Sequence, residues 1–221
     1  MDLKNIIEGA LAGTRPETDI RATTRGGNLG DLPEALRPDG ARLRPAAVLV
    51  PLMDHSSGLT IMLTRRTDTL PEHPGQIAFP GGRVEPVDSG ALDCALRETE
   101  EETGLPRHFV RPVGYLPQYQ TITGYAVIPV VGFVTPGFTP RPDPTEVAEI
   151  FEVPLDFVLD TANHRLETRV FRDTEVSYYV LDWHPPGNKG AKEYCIWGAT
   201  AAMLVDFAER IALHRSRATS A

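Results

Sequence analysis

The sequence predicts an α/β domain in which helices cover a mixed β-sheet. Three observations lead there: strand-length apolar runs spread along the chain, two segments with helical spacing, and a composition suited to a packed core. Hydrophobic residues make up 41% and charged residues 24% of the 221 residues, the balance of a globular chain rather than a disordered one. Strands interleaved with helices bury their apolar faces most simply as layers.

A short helical pattern at Leu3 to Leu11 opens the chain and gives way to Gly26-Gly27, Gly30, Pro33, Pro38 and Gly40. Residues 1–43 therefore read as an N-terminal arm. Such an arm packs against the domain, packs against a second subunit of a homodimer, or runs as a surface linker, and the sequence leaves these open. Ala46 to Met53 and Leu59 to Thr64 read as strands around a Ser56-Ser57-Gly58 turn. Gln76 to Phe79 is a short strand that runs into Pro80-Gly81-Gly82. Further strands fit Val110 to Tyr115, Tyr125 to Val134, Val147 to Val153, Arg165 to Arg172 and Val176 to Trp183. A closing helix fits Gly198 to Leu213, where Ala202, Leu204, Val205, Ala208, Glu209 and Ala212 keep near-helical spacing. The domain spans residues 44–215, and 216–221 form a tail.

Charge excludes some functions. Thirty acids against 22 bases leave a formal charge of -8, which disfavours nucleic acid and anionic membrane as partners. An anionic small molecule remains compatible, because a bound divalent cation reverses the local field. Two cysteines, Cys94 and Cys195, are too few for a disulfide framework or a thiolate zinc site. The opening Met-Asp-Leu-Lys-Asn lacks a basic-then-apolar signal pattern, and Pro129 interrupts the apolar run from Ala126 to Val134. A cytoplasmic address is the default expectation. The six histidines show no H-E-x-x-H spacing, and no nucleophile-elbow motif supports Ser-His-Asp chemistry.

The informative segment is Gly81 to Leu105. Ser89 suits an N-cap, Leu92, Ala95, Leu96 and Thr99 form an apolar stripe, and Gly104 suits the C′ position, so a helix of about four turns is expected. Its C-terminal half carries Glu98, Glu100, Glu101 and Glu102. Carboxylates there oppose the helix dipole, each at a cost of ~0.3–1 kcal/mol, and Glu98 with Glu102 is a like-charge i,i+4 pair. At about 100° per residue, Glu98, Glu101 and Glu102 share a face and Glu100 points away. Hard-oxygen donors in that pattern suit Mg²⁺ or Mn²⁺. A solvated acidic face is the plainer alternative. Against it stand the wrong-end clustering and the preceding glycine pair, which lets backbone approach a ligand closely.

Gly82, Asp88 and the run Arg97-Glu98-Thr99-Glu100-Glu101-Glu102-Thr103-Gly104-Leu105 resemble the Nudix box, G-x5-E-x7-R-E-U-x-E-E-x-G-U. The departures are one extra residue between Gly82 and Arg97, Asp88 for Glu, and Thr99 at an aliphatic position. They are similar to those of the coenzyme A diphosphatase branch, whose upstream signature L-L-T-x-R-S-x3-R-x3-G-x3-F-P-G-G is matched by Met62-Leu63-Thr64-Arg65-Arg66-Thr67 and Gly75-Gln76-Ile77-Ala78-Phe79-Pro80-Gly81-Gly82. Thr67 stands for Ser and Pro71 for the second Arg. Ile128 to Phe133, Glu146 to Phe151 and Ile196 to Thr200 also resemble that branch, so the likeness runs from about Arg44 to Ile211.

The resemblance implies an α/β/α sandwich with a mixed β-sheet and hydrolysis of a nucleoside diphosphate linked to another moiety. For coenzyme A the products would be 3′,5′-ADP and 4′-phosphopantetheine. Glu98 and Glu102 are the expected metal ligands, with Glu101 a third ligand or the base. Arg97 would orient a carboxylate, and Gly81, Gly82, Arg66 and Gln76 would contact substrate or metal. Further candidates are His73 as pocket lining, Glu146 or Glu149 as a further carboxylate, and Tyr115, Tyr119 or Tyr125 as stacking partners for adenine, although strand aromatics usually pack in cores. Cys94 reads as a small core residue. Two other readings compete: a diphosphatase for ADP-ribose or another dinucleotide, and a catalytically silent nucleotide-binding module. The intact Arg97-Glu98 and Glu101-Glu102 pairs weigh against silence.

Overall fold

The computed structural model describes residues 2–19, 43–70, 72–171, 173–186 and 193–219. The Gly26 to Gly40 part of the arm, Pro71, Arg172 and the last residues of the tail lie outside them. β1 (Arg44–His55) forms the centre of the main sheet because it alternates between two cores. Ala46, Val50 and Leu52 face one cluster, and Ala47, Leu49 and Met53 face the other. It pairs in parallel with β7 (Tyr125–Val134) and antiparallel with β2 (Gly58–Arg66), so the sheet is mixed.

The path through that sheet runs β3 (Ile77–Ala78), β2, β1, β7, β5 (Val110–Tyr115). β4 (Gly81–Arg83) adds to β1, β6 (Tyr119–Gln120) to β7 and β8 (Val147–Pro154) to β2. A separate three-stranded sheet runs β11 (Tyr194–Trp197), β10 (Thr174–Trp183), β9 (Arg165–Phe171). One face of the main sheet carries α2 (Ala91–Thr103), whose Cys94 and Ala95 pack on Ala47 and Leu49. The other carries α1 (Leu3–Leu11), α3 (Leu155–Leu159) and α4 (Gly198–Thr219). This is the expected α/β/α layering.

Expected strands at 110–115 and 125–134 recur with the same ends, and other predicted strands shift by one or two residues at some end. β4, β6, β11 and α3 were not read from sequence, because each is too short for periodicity to register. Gly58 begins β2 opposite His55, which leaves Ser56 and Ser57 as the turn. α4 runs past Leu213 to Thr219. No helix among the described residues is long and apolar enough to cross a membrane.

α1 is seated in the core. Ile6, Ile7 and Leu11 are buried in the cluster that also holds Phe207 and Ile211 of α4. A Cβ on Gly114 of β5 would meet Leu11 and Thr14 at 2.5–2.9 Å, so the sheet itself is cut back to admit the end of this helix. The Thr14 hydroxyl fastens it by accepting the Tyr115 N–H at 2.9 Å. Ile7→Ala, at a position with 0% exposure, is expected to cost about 2–5 kcal/mol. Urea denaturation measures this; a loss well under 1 kcal/mol would detach α1 from the cooperative core.

Candidate active site

The site forms where β4 runs past α2. Gly104, at φ +70°, ends α2 and donates its N–H to the Glu100 carbonyl at 2.9 Å. Residues 141–143 then close the helix end, Arg141 N–H donating to Thr103 O and Asp143 N–H to Glu102 O. The N-terminus differs from expectation. Gly90 occupies the N-cap with no side-chain cap, while the Ser89 N–H donates to the Asp93 carboxylate at 3.1 Å. Asp93 in the first turn therefore ties the preceding residue back to the helix, and no side chain caps the first-turn N–H groups. Thr99 fits its aliphatic position because its hydroxyl donates to Ala95 O at 2.6 Å and leaves the methyl to the core.

β4 lies close against the acids. A Cβ on Gly82 would stand 2.5 Å from Glu98 Cδ and 2.6 Å from both carboxylate oxygens. A Cβ on Gly81, at φ +153°, would stand 2.4 Å from the Ala47 carbonyl oxygen. The Gly81 N–H instead donates to Glu102 Oε2 at 3.3 Å, and Arg66 Nη1, from the end of β2, lies 3.9 Å from Glu102 Oε1. The glycine pair, Arg66, Glu98 and Glu102 are thus brought together.

Arg97 organises the rest. Its Nε and Nη2 donate to the two oxygens of Asp88 at 2.8 and 2.9 Å, a bidentate pair with the Asp88 side chain only 1% exposed. Its Nη1 lies 2.9 Å from Glu98 and 3.1 Å from Glu101, and Nη2 also donates to the Arg83 carbonyl at 3.3 Å. The guanidinium holds Asp88 down at about 2, and Asp88 in turn raises Arg97. No role was assigned to Asp88 from sequence; its place at the acid position of the box was the available signal.

Burial sets the charge state of the acids. Glu102, with a side chain 6% exposed, is pushed up to about 8 by burial, against the opposing pull of Arg66 and the Gly81 N–H. Glu98 is also raised by burial, with Arg97 pulling the other way. Glu146 pushes both in the same direction as burial, as do Glu101 on Glu98 and Glu98 on Glu102, which places exposed Glu146 within electrostatic reach of both glutamates. Glu101 stands apart: its side chain is 59% exposed and turned to Arg97. Among the described residues no three His, Cys, Asp or Glu side chains already form a ligand set for a metal. The donors present are nonetheless all hard oxygens, and burial makes their shared negative charge costly without a cation.

The remaining candidates are dispersed. Gln76 gives its backbone carbonyl to the Arg66 N–H at 2.9 Å, and His73 bends the same loop at φ +58°. Glu149 accepts from Tyr194 Oη at 2.7 Å and pairs with Arg65 at 3.6 Å. Cys94 is fully buried and its thiol is pushed up to about 12, which fits a core residue. Tyr119 is buried in the core, and Tyr125 has the Arg44 guanidinium 4.0 Å from its ring centre.

The NUDIX domain model matches residues 42–180. A Nudix hydrolase NudL of Photorhabdus laumondii is 38% identical over 170 residues, covering 76% of this chain and 85% of that one. NudL of Pectobacterium atrosepticum is 36% identical over 188 residues, with 81% and 88% covered. Among solved structures, the MutT protein of Methanosarcina mazei Go1 is 19% identical, with 81% of this chain and 96% of that chain covered at a TM-score of 0.48.

The two glycines make separable predictions. Gly82→Ala collides only with the mobile end of Glu98, so the carboxyl swings aside and the fold survives. Gly81→Ala collides with β1 backbone, a strain of about 1–3 kcal/mol or more. Thermal melts should rank Gly81→Ala well below Gly82→Ala; the reverse order would mean that β4 does not seat as described.

Proposed function

The chain belongs to the Nudix family, and from that premise we propose that it hydrolyses the diphosphate of coenzyme A or an acyl derivative to 3′,5′-ADP and 4′-phosphopantetheine. Nudix hydrolases act on pyrophosphate bonds of nucleoside diphosphate derivatives and generally require divalent metal ions. The observation that carries the reading is the meeting of the upstream signature with the box: Arg66, Gly81 and Gly82 lie directly against Glu98 and Glu102. The signature is similar to that of the coenzyme A branch, and its contact with the acids supports its residues as partners of a diphosphate bound there.

Glu98 and Glu102 are the proposed ligands for Mg²⁺ or Mn²⁺. Such an ion would neutralise the diphosphate and acidify a water molecule for attack. Glu101, exposed and held by Arg97 at 3.1 Å, is the proposed base that takes the water's proton at its carboxylate. Arg97 positions Glu98 and Glu101 through one nitrogen while Asp88 fixes its fork. The Arg66 Nε is buried without a hydrogen-bond partner, and a buried donor of that kind is suited to a phosphate oxygen. Gln76 fixes the turn behind Arg66 through the backbone.

A pH dependence follows. Because Glu102 sits near 8, its carboxyl holds a proton at neutral pH and must lose it to ligate a cation. Affinity for Mn²⁺ should therefore rise with pH up to about 8, with close to one proton released per ion bound at pH 7. Calorimetry in buffers of different ionisation enthalpy reads the proton; Glu102→Gln should abolish both release and most of the turnover. Release that persists in Glu102→Gln would place the ion elsewhere.

Substrate choice is tested by kcat/KM for coenzyme A and ADP-ribose at equal metal, with product analysis for 3′,5′-ADP against AMP. Coenzyme A is expected to be favoured. A preference for ADP-ribose by about tenfold, or 1.4 kcal/mol, would remove the coenzyme A assignment and leave the family reaction standing.

A further inference from the structure

Arg44, Arg83 and Tyr125 come from the starts of β1 and β7 and from β4, and meet at one end of the main sheet. Sheet register aligns Arg44 with Tyr125 across the parallel pair, and sets Arg83 opposite Ala46, two residues along β1. The Arg44 guanidinium lies 4.0 Å from the centre of the Tyr125 ring. Arg83 donates to Tyr125 Oη from Nε at 3.1 Å and from Nη2 at 2.9 Å. Two cations therefore converge on one phenol in a chain of net charge -8. Among the described residues neither guanidinium makes an ion pair with a carboxylate.

One anion does approach the cluster. Glu72, exposed and next after Pro71, accepts a hydrogen bond from Tyr125 Oη at 3.2 Å. It reaches Arg83 electrostatically rather than by contact. The cluster is joined to the reacting centre along β4. Arg83 follows Gly82, whose absent Cβ would touch the Glu98 carboxylate, and its side chain leaves from the other face of that strand. Paired guanidinium forks match the charge and geometry of a phosphate dianion.

We propose that the Arg44–Arg83–Tyr125 cluster seats a phosphomonoester borne on the ribose of the substrate's nucleoside half, and that Glu72 holds the edge of this seat until substrate displaces it. This rests on the coenzyme A reading, since 3′,5′-ADP carries such a group and ADP-ribose does not. Arg83 then supplies from β4 a charge of the kind that Pro71 lacks.

The test is calorimetric binding of 3′,5′-ADP and of AMP to the full chain with Mg²⁺. The wild-type chain should bind 3′,5′-ADP at least about tenfold more tightly than AMP. Arg83→Ala should bring that ratio close to one, with Arg83→Lys recovering part of it. Glu72→Gln should tighten 3′,5′-ADP several-fold by removing the competing carboxylate, and it decides the matter if Arg83→Ala does not fold. Equal wild-type affinities, a ratio unmoved by Arg83→Ala, equal losses for both ligands, or no gain in Glu72→Gln would each overturn the seat. Hydrolysis is read separately. Failure to cleave coenzyme A with the 3′,5′-ADP preference intact removes the substrate reading alone, and cleavage with equal affinities removes the seat alone.

Discussion

The bidentate ion pair between Asp88 and Arg97 is the contact on which the arrangement of the site depends. Asp88 sits in the loop between β4 and α2 with its side chain almost fully buried, and Arg97 sits in the middle turn of the helix. Hydrogen bonds to charged groups contribute about 1.5–3 kcal/mol each, so losing this fork would loosen the loop from the helix. Here the pair does more than close a loop. With Nε and Nη2 committed to Asp88, Nη1 is left facing Glu98 and Glu101. One guanidinium thereby ties the glycine strand to the helix and sets the orientation of two of its acids.

The same fork answers a problem posed by the helix itself. Four glutamates in the last two turns oppose the helix dipole, and the chain meets that cost with cations drawn from several places. Arg97 covers Glu98 and Glu101, Arg107 lies 3.6 Å from Glu100, and Arg66 approaches Glu102 from β2. Glu102 is the least well served, with a guanidinium only at 3.9 Å and one backbone N–H at 3.3 Å. It is also the most buried of the four, and burial wins, lifting it to about 8. The carboxylate whose ionisation is most suppressed thus accepts the Gly81 N–H beside Glu98, where a cation would relieve it most.

Much of this was legible in the sequence, for identifiable reasons. The long strands show because a central strand such as β1 must be apolar on both faces, and α2 shows because its stripe and Gly104 are local signals. The acids show because residues placed against a helix dipole need an explanation. What did not show is whatever depends on pairing at a distance. β4 is two glycines and an arginine, with no periodicity to read, and becomes a strand only because β1 lies beside it. The N-cap falls on Gly90 rather than Ser89 because the helix begins one residue later than its best N-cap residue suggested, and Asp93 instead holds the Ser89 N–H. Asp88 looked like a conservative departure from the box; only the fold reveals that its shorter side chain meets the Arg97 fork squarely.

The acidic total charge and the expected anionic substrate are reconciled by how charge is partitioned around β4. Gly82 turns no side chain toward α2, so the Glu98 carboxylate can close onto the strand from that side. The next residue, Arg83, carries its guanidinium to Tyr125, where Arg44 covers the ring. Carboxylates and guanidinium groups are thus set one residue apart along a three-residue strand, with Arg97 joined to the Arg83 carbonyl between them. A net charge spread over the whole surface is screened beyond about 10 Å at ordinary ionic strength, so a substrate near β4 responds to this local pattern rather than to the total. An acidic chain can therefore present one side of a strand suited to a cation and the other side suited to an anion, provided a strand as short as β4 holds the two in fixed register.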